Sequence, residues 1–341
     1  MDAMQFIPIL VVGFAASLGL TPVSRQIALR LGVVDKPNQR KIHTDHKPLM
    51  GGLAIYVAFV LSLLLFSPQR FMNELGAIMI GATLLSVVGL LDDRFSLGIR
   101  IRLIAMSAAA IILIFAGIQI RLFNNPLIDY PLTIIWVLAI TNALNFLDNM
   151  DGLCAGLTAI CALFFLVIGL TEGLALVSIL AAALVGSAVG FLTYNFNPAS
   201  TFMGDMGALV LGFTLAVLGI KLEFGTQPLS VTWMVPLLVL AVPIFDINLV
   251  VITRLLEKRS PAEAGKDHTS HRLMSVGFNQ RKTLFILYGS CGLFGAIGLL
   301  VSAAPPDVAL RIGLTGLFVL AMLFMLMFYI RKRFQLNTTK T

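Results

Sequence analysis

The sequence predicts an all-α polytopic integral membrane protein with about eleven transmembrane helices. Three observations predict it. First, of 341 residues 58% are hydrophobic and 12% are Asp, Glu, Lys or Arg, with a mean hydropathy of +0.94. Soluble chains carry roughly 25% charged residues, and half that cannot clothe a core of this length in a polar shell. Second, apolar runs near the length of a membrane span recur along the whole chain. Third, Lys and Arg segregate into alternate connecting segments. Together these exclude an ordinary soluble protein, a disordered chain and a disulfide scaffold. Cys154, Cys161 and Cys291 fall in or beside apolar runs and read as small buried hydrophobes.

A spanning helix takes about 20 mostly apolar residues. The runs are 5–24, 51–67, 75–91, 103–119, 131–147, 153–171, 173–194, 206–222, 231–253, 283–302 and 307–330. The second, third and fifth are short. The segment Met1–Met4 lacks a basic leader region, so the first run is expected to stay as a span. Loops 25–50, 92–102, 145–153, 195–205, 254–282 and the tail after 330 hold 20 of the 24 Lys and Arg residues. The other four are Arg70, Arg121, Lys221 and Arg311. The positive-inside rule then puts the N-terminus outside and the C-terminus in the cytoplasm. Topology accounts for the net charge of +7, so nucleic acid is not expected as a partner. No composition shift or repeat divides residues 1–341, which read as one multi-span membrane domain whose inner loops carry the chemistry.

The acids are more informative, because orientation hardly constrains them. Asp92, Asp93, Asp148, Asp151 and Asp205 all lie against apolar helix ends on the inner face. A carboxylate at the bilayer centre costs about 2.5–3.5 kcal/mol, so these belong at the membrane edge or in a wet cleft. The loops with Asp148, Asp151 and Asp205 hold no Lys or Arg. Carboxylates gathered without basic partners repel one another unless a cation is present. Oxygen ligands of this kind suit Mg²⁺, with Mn²⁺ as a substitute.

Five motifs follow in order. Loop 33–56 reads VVDKPNQRKIHTDHKPLMGGLAIY, and Lys36, Arg40 and His43 precede a helix start at Gly51 and Gly52. Free N–H groups there could bind phosphate; a plain positive-inside loop is the other reading. Segment 89–103 places Asp92 and Asp93 directly after a span, one suited to metal and one to a base, or else to a surface pair with Arg94. In TNALNFLDNMDGL, residues 141–153, Asn142, Asn145, Asp148 and Asp151 recur every three residues and nearly line one helix face. Gly204 and Gly207 flank Asp205 where another span begins, a position that also suits a helix cap. In GKDHTSHRL, residues 265–273, His268 and His271 stand three apart beside Arg272. No closed zinc ligand set accompanies them, so anion contact is the better reading.

The ordered set DKPNQRKIH…PLMGG, LLDD, NALNFLDNMDG, FMGDMG and DHTSHRL resembles the polyprenyl-phosphate N-acetylhexosamine-1-phosphate transferases, over about residues 33 to 273. The resemblance implies a plasma (inner) membrane enzyme with a cytoplasmic site. It would move a sugar-1-phosphate from a UDP-sugar to a polyprenyl phosphate, release UMP and use Mg²⁺. The product would start a cell-envelope polymer such as lipopolysaccharide or teichoic acid. By position, Asp92 and Asp93 match the aspartate pair at the lipid phosphate and metal. Asn145, Asp148 and Asp151 match the nucleotide- and metal-proximal motif. Asp205 matches a metal ligand, and His268, His271 and Arg272 match the histidine motif near sugar and diphosphate. Catalysis is thus expected of Asp92, Asp93, Asp148 and Asp151, and metal binding of Asp93, Asp148 and Asp205. Substrate binding is expected of Lys36, Arg40, His43, Gly51, Gly52, Asn142, Asn145, Gly204, His268, His271 and Arg272. A homodimer is compatible with this picture.

The chain also departs from the pattern. Ser270 stands before His271, and Asn149 replaces a glycine of DGxDG. PLMGG lacks the threonines of the phospho-MurNAc-pentapeptide branch, which favours the branch that uses a simple UDP-HexNAc, closest to the undecaprenyl-phosphate GlcNAc-1-phosphate transferases. A secondary transporter is the rival class, but its coupling acids would lie near the midplane in repeated halves.

Overall fold

A computed structural model describes residues 3–35, 47–66, 68–222, 228–263 and 265–334. It is helical throughout, apart from one two-residue ladder, and divides into two compact units, Met1–Glu223 and Phe224–Thr341. The chain is a multi-pass membrane protein.

The first unit holds α1 (Ile7–Leu31), α2 (Gly51–Phe66), α3 (Met72–Phe95), α4 (Ile99–Phe115), α5 (Pro126–Leu147), α6 (Leu153–Thr171), α7 (Ala175–Asn195) and α8 (Gly204–Ile220). Local chemistry sets several ends. Gly32, at φ +69°, closes α1 in a left-handed cap, where a side chain would be strained. Strands β1 (Val34–Asp35) and β2 (Lys47–Pro48) then pair antiparallel. Asn125 caps α5 by accepting a hydrogen bond from the Leu127 amide at 3.0 Å, followed by a proline in the first turn. Helix α8 packs against α2, α3, α5, α6 and α7, and every residue of it except Asp205 is buried. A helix so enclosed must be apolar on all sides.

The second unit holds α9 (Leu229–Thr232), α10 (Met234–Val239), α11 (Ala241–Leu256), α12 (Thr269–Ser275), α13 (Gln280–Ala303) and α14 (Pro306–Phe334). The break at Leu240 bends the path from α9–α10 into α11 by 77°. Pro243 lies just beyond it and can donate no amide to a continuous helix.

Among the described residues seven helices are long and apolar enough to cross a membrane, or eight if the bent pair is one span. The expected count of eleven is not confirmed by this. Each of the eleven apolar runs does become helical, but α2, α4 and α8 have only 16, 17 and 17 residues. The hydropathy of α8 reflects burial among protein neighbours; sequence cannot tell that from burial in lipid. By contrast Phe115, Leu127 and Met325 are 88%, 85% and 70% exposed, a surface that needs lipid around it.

Candidate active site

In the first unit the loop between α7 and α8 forms a strap that sets the start of α8. Asp151 Oδ2 accepts hydrogen bonds from Asn197 Nδ2 at 3.1 Å and the Ala199 amide at 2.9 Å. Asn195 accepts from the Gly152 amide at 3.1 Å and donates to the Thr201 carbonyl at 3.1 Å. On the other side the Gly51 amide donates to the Phe202 carbonyl at 2.9 Å and the Gly52 amide to the Met203 carbonyl at 2.8 Å. These bonds bear on two expectations. The Gly51 and Gly52 amides hold the strap, so they are no anion cradle. Asp151, expected to be catalytic, is bonded through Oδ2 to the strap.

The strap delivers Asp205 to the ends of α3 and α5. Asp93 accepts from the Asp205 amide at 2.9 Å and the Met206 amide at 3.4 Å, capping α8 from a neighbouring helix. The chain turns at Ser96, in the left-handed region at φ +52°, and returns as α4, which brings Arg102 back over the acids. Arg102 Nη1 lies 3.1 Å from Asp92 Oδ2 and 3.2 Å from Asp205 Oδ2. Asn145 Nδ2 donates to Asp205 Oδ1 at 2.6 Å. Burial first, then the charges of Asp205, Asp151 and Asp35, push the Asp148 carboxyl up to about 7. Gly204, at φ +70°, lets Asp93 and the Leu49 carbonyl approach, since a Cβ there would meet them at 2.3 and 2.5 Å. The part of Gly204 visible here is steric: it leaves room for these two groups.

Sequence reasoning missed Arg102. In sequence it is one of the loop 92–102 cations that topology accounts for, and the loops of Asp148, Asp151 and Asp205 hold no basic residue of their own. Its spacing from Asp92 and Asp93 across a tight helical turn was the available signal. Asn142, expected beside the acids, instead donates to the Leu138 carbonyl at 2.8 Å and to Met106 Sδ at 3.3 Å. Lys36, Arg40 and His43 lie outside the described residues.

The donor set suits a hard cation. Among the described residues no three His, Cys, Asp or Glu groups form a closed metal site. Mg²⁺ needs no such cage, since it takes one or two carboxylates and completes its shell with water and phosphate. Arg102 is the cation paired with Asp92 and Asp205, Asp93 accepts from the Asp205 amide, and the Asp148 carboxyl is raised by its burial first and then by the negative charge of Asp205. Added positive charge is what that arrangement would accept.

In the second unit Asp246, with no exposed surface, accepts from Thr269 N at 2.7 Å and pairs with His268 Nδ1 at 2.8 Å. The rings of His268 and His271 lie 5.7 Å apart, and His271 Nδ1 is buried without a hydrogen-bond partner. Burial, then His268, holds the His271 ring down to about 4, so it is neutral at pH 7. Burial alone would raise Asp267, yet Arg259, Arg331 and Arg254 hold it well below the usual carboxylate range. Arg272 is fully buried and donates to the Asp267 carbonyl, the Met327 carbonyl and Thr253 Oγ1 at 3.0, 2.8 and 2.7 Å. Expected as a substrate contact, it braces the unit instead.

A model of glycosyl transferase family 4 matches residues 75–223, the stretch that contains all five aspartates of the first unit's site. A probable undecaprenyl-phosphate N-acetylglucosaminyl 1-phosphate transferase of Bacillus subtilis is 34% identical over 303 residues, covering 86% of this chain and 84% of the relative. The chain belongs to glycosyl transferase family 4. Other relatives of this family 4 chain agree. A decaprenyl-phosphate N-acetylglucosaminephosphotransferase of Mycolicibacterium smegmatis is 31% identical over 80% of this chain and 76% of its own length. An undecaprenyl-phosphate alpha-N-acetylglucosaminyl 1-phosphate transferase of Escherichia coli K12 is 28% identical over 81% and 78%.

Proposed function

We propose that this family 4 chain transfers N-acetylglucosamine-1-phosphate from UDP-GlcNAc to a polyprenyl phosphate and releases UMP. The observation that carries it is the meeting of Asp93, Asn145 and Arg102 at Asp205, with Asp92 on the same arginine, at the ends of three apolar helices. The names of relatives similar over about four fifths of the chain supply the sugar and the class of lipid. A lipid phosphate oxygen attacks the phosphorus that bears the sugar. The bond from that phosphorus to the bridging oxygen breaks, and UMP leaves with the oxygen. The attacking phosphate is already anionic near neutral pH, so positioning and charge neutralisation dominate over base catalysis.

Asp148 and Asp205 are the proposed metal-holding carboxylates, with Asn145 orienting Asp205. When bound, Mg²⁺ would neutralise the donor diphosphate and the leaving UMP. Asp93 fixes the end of α8, and Arg102 balances Asp92 and Asp205. Resemblance supports Lys36, Arg40 and His43 as anion contacts. The unpartnered His271 nitrogen supports the histidine segment as a ligand-binding one. The charge asymmetry of the loops supports a site facing the cytoplasm in the plasma membrane.

Purified protein incubated with radiolabelled UDP-GlcNAc and undecaprenyl phosphate is expected to release UMP in step with lipid-linked GlcNAc. EDTA should stop the reaction and Mg²⁺ restore it. Absence of both products from folded protein would sink the reading. Arg102→Gln leaves Asp92 and Asp205 without their cation, and should lower kcat/KM about 10²-fold, with Arg102→Lys recovering part. Steady-state UMP release measures both.

A further inference from the structure

We propose that Asp246 is a positioning residue of this transferase, whose buried carboxylate fixes the orientation and tautomer of His268. The inference rests on the proposed function, in which the histidine segment binds a ligand, and on the resemblance, which implies that this ligand is the sugar and diphosphate of the donor. It adds a residue outside every motif that carried the family resemblance.

The geometry is specific. Asp246 lies in α11 with no exposed surface. A buried carboxylate is costly unless its oxygens are bonded. Here the two oxygens take consecutive residues, Oδ1 the Thr269 amide at 2.7 Å and Oδ2 the His268 Nδ1 at 2.8 Å. Thr269 opens α12 and His268 is its N-cap residue. One carboxylate therefore holds the backbone at the start of a helix and the ring of the residue before it. Rotating that ring would leave a buried charge half satisfied, so the ring is locked. With Nδ1–H donated to Asp246, a neutral His268 carries its lone pair on Nε2, and a charged one presents a second N–H there. A carboxylate behind a histidine fixes the working nitrogen in the same way at metal and hydrolase sites.

The surroundings favour orientation over plain packing. Asp267, immediately before, is gripped by Arg254 Nε at 3.0 Å, Arg259 Nη2 at 2.9 Å and Arg331 Nη1 at 2.6 Å. Residues 267, 268 and 269 are thus each anchored through a carboxylate. His271, one helical turn on, has no such anchor on Nδ1. The segment holds one fixed imidazole beside one held only by packing.

Asp246→Asn tests this. The amide oxygen can still accept from the Thr269 amide, but its NH₂ faces His268 Nδ1 and drives the proton to Nε2. Expected is a fall in kcat/KM for UDP-GlcNAc of about 10- to 100-fold, with KM for polyprenyl phosphate unchanged. In a His268→Ala background the same change should add less than about twofold, because Asp246 acts through that ring. Independent, multiplying losses would show a merely structural role and overturn the proposal, as would a single variant with wild-type kinetics. Nitrogen-15 NMR of histidine-labelled wild-type protein, with His268→Ala for assignment, needs no Asp246 variant to fold. It should show Nδ1 of His268 protonated; an unprotonated Nδ1 overturns the proposal. Inactive wild type in the same assay would sink the proposed function, whereas active wild type with an insensitive Asp246→Asn sinks only this inference.

Discussion

Asp205→Ala is expected to lower kcat/KM for sugar-1-phosphate transfer about 10³-fold while the protein still folds. Asp205 is where the site's elements meet. It takes Asn145 from α5 at 2.6 Å and Arg102 from α4 at 3.2 Å, and its charge is the leading electrostatic influence on Asp148. Removing it deletes a proposed metal ligand and strands Arg102 and Asn145. The fold should survive because Asp205 does not cap its own helix. Asp93 does, through backbone amides that alanine keeps. Asp205→Asn separates charge from shape, since its amide oxygen can still accept from Asn145, and it should be nearly as inactive. UMP release and a melting curve in detergent measure the two effects. Activity within about tenfold of wild type would remove Asp205 from the chemistry.

Gly52→Ala should destabilise the protein by about 3 kcal/mol and abolish activity with it. A Cβ at Gly52 would lie 2.2 Å from the Gly207 amide nitrogen, 2.6 Å from its Cα and 2.8 Å from the Met203 carbonyl. All three are backbone atoms, and no rotamer change relieves them. Helices α2 and α8 meet there without side chains between them, and the Gly52 amide ties down Met203, two residues before Asp205. One methyl group should therefore part the helices and move the carboxylate. Gly76→Ala in α3 is the control. Nothing lies within 4 Å of its Cβ position, and alanine favours a helix by up to about 1 kcal/mol. Equal melting temperatures for the two variants would show that this crossing tolerates a side chain.

Residues that look alike in sequence part company in the structure. The Asn142, Asn145, Asp148 and Asp151 stripe was legible from its spacing, yet only part of it reaches the acids. Asn142 bonds back to its own helix and Asp151 holds the strap, because a helix face fixes direction and the neighbours decide what a side chain meets. Gly51 and Gly52 were legible as a sharp helix start, but their amides meet carbonyls of a strap some 150 residues later in the chain. Arg102 is legible only as one of the cations of loop 92–102, and no local pattern gives its partners or those of Asp246.

By itself the sequence determined the membrane class, the helical runs and the gathering of acids at helix ends. These follow from local quantities, hydropathy over about 20 residues and the cost of a charge in lipid. Only the tertiary structure decided which runs are enclosed by protein, that Arg102 sits between Asp92 and Asp205, that Asp93 caps α8, and that Asp246 grips His268. Each depends on contacts between residues far apart in the chain. Burial against protein and burial against lipid leave the same mark on a sequence, and only packing tells them apart.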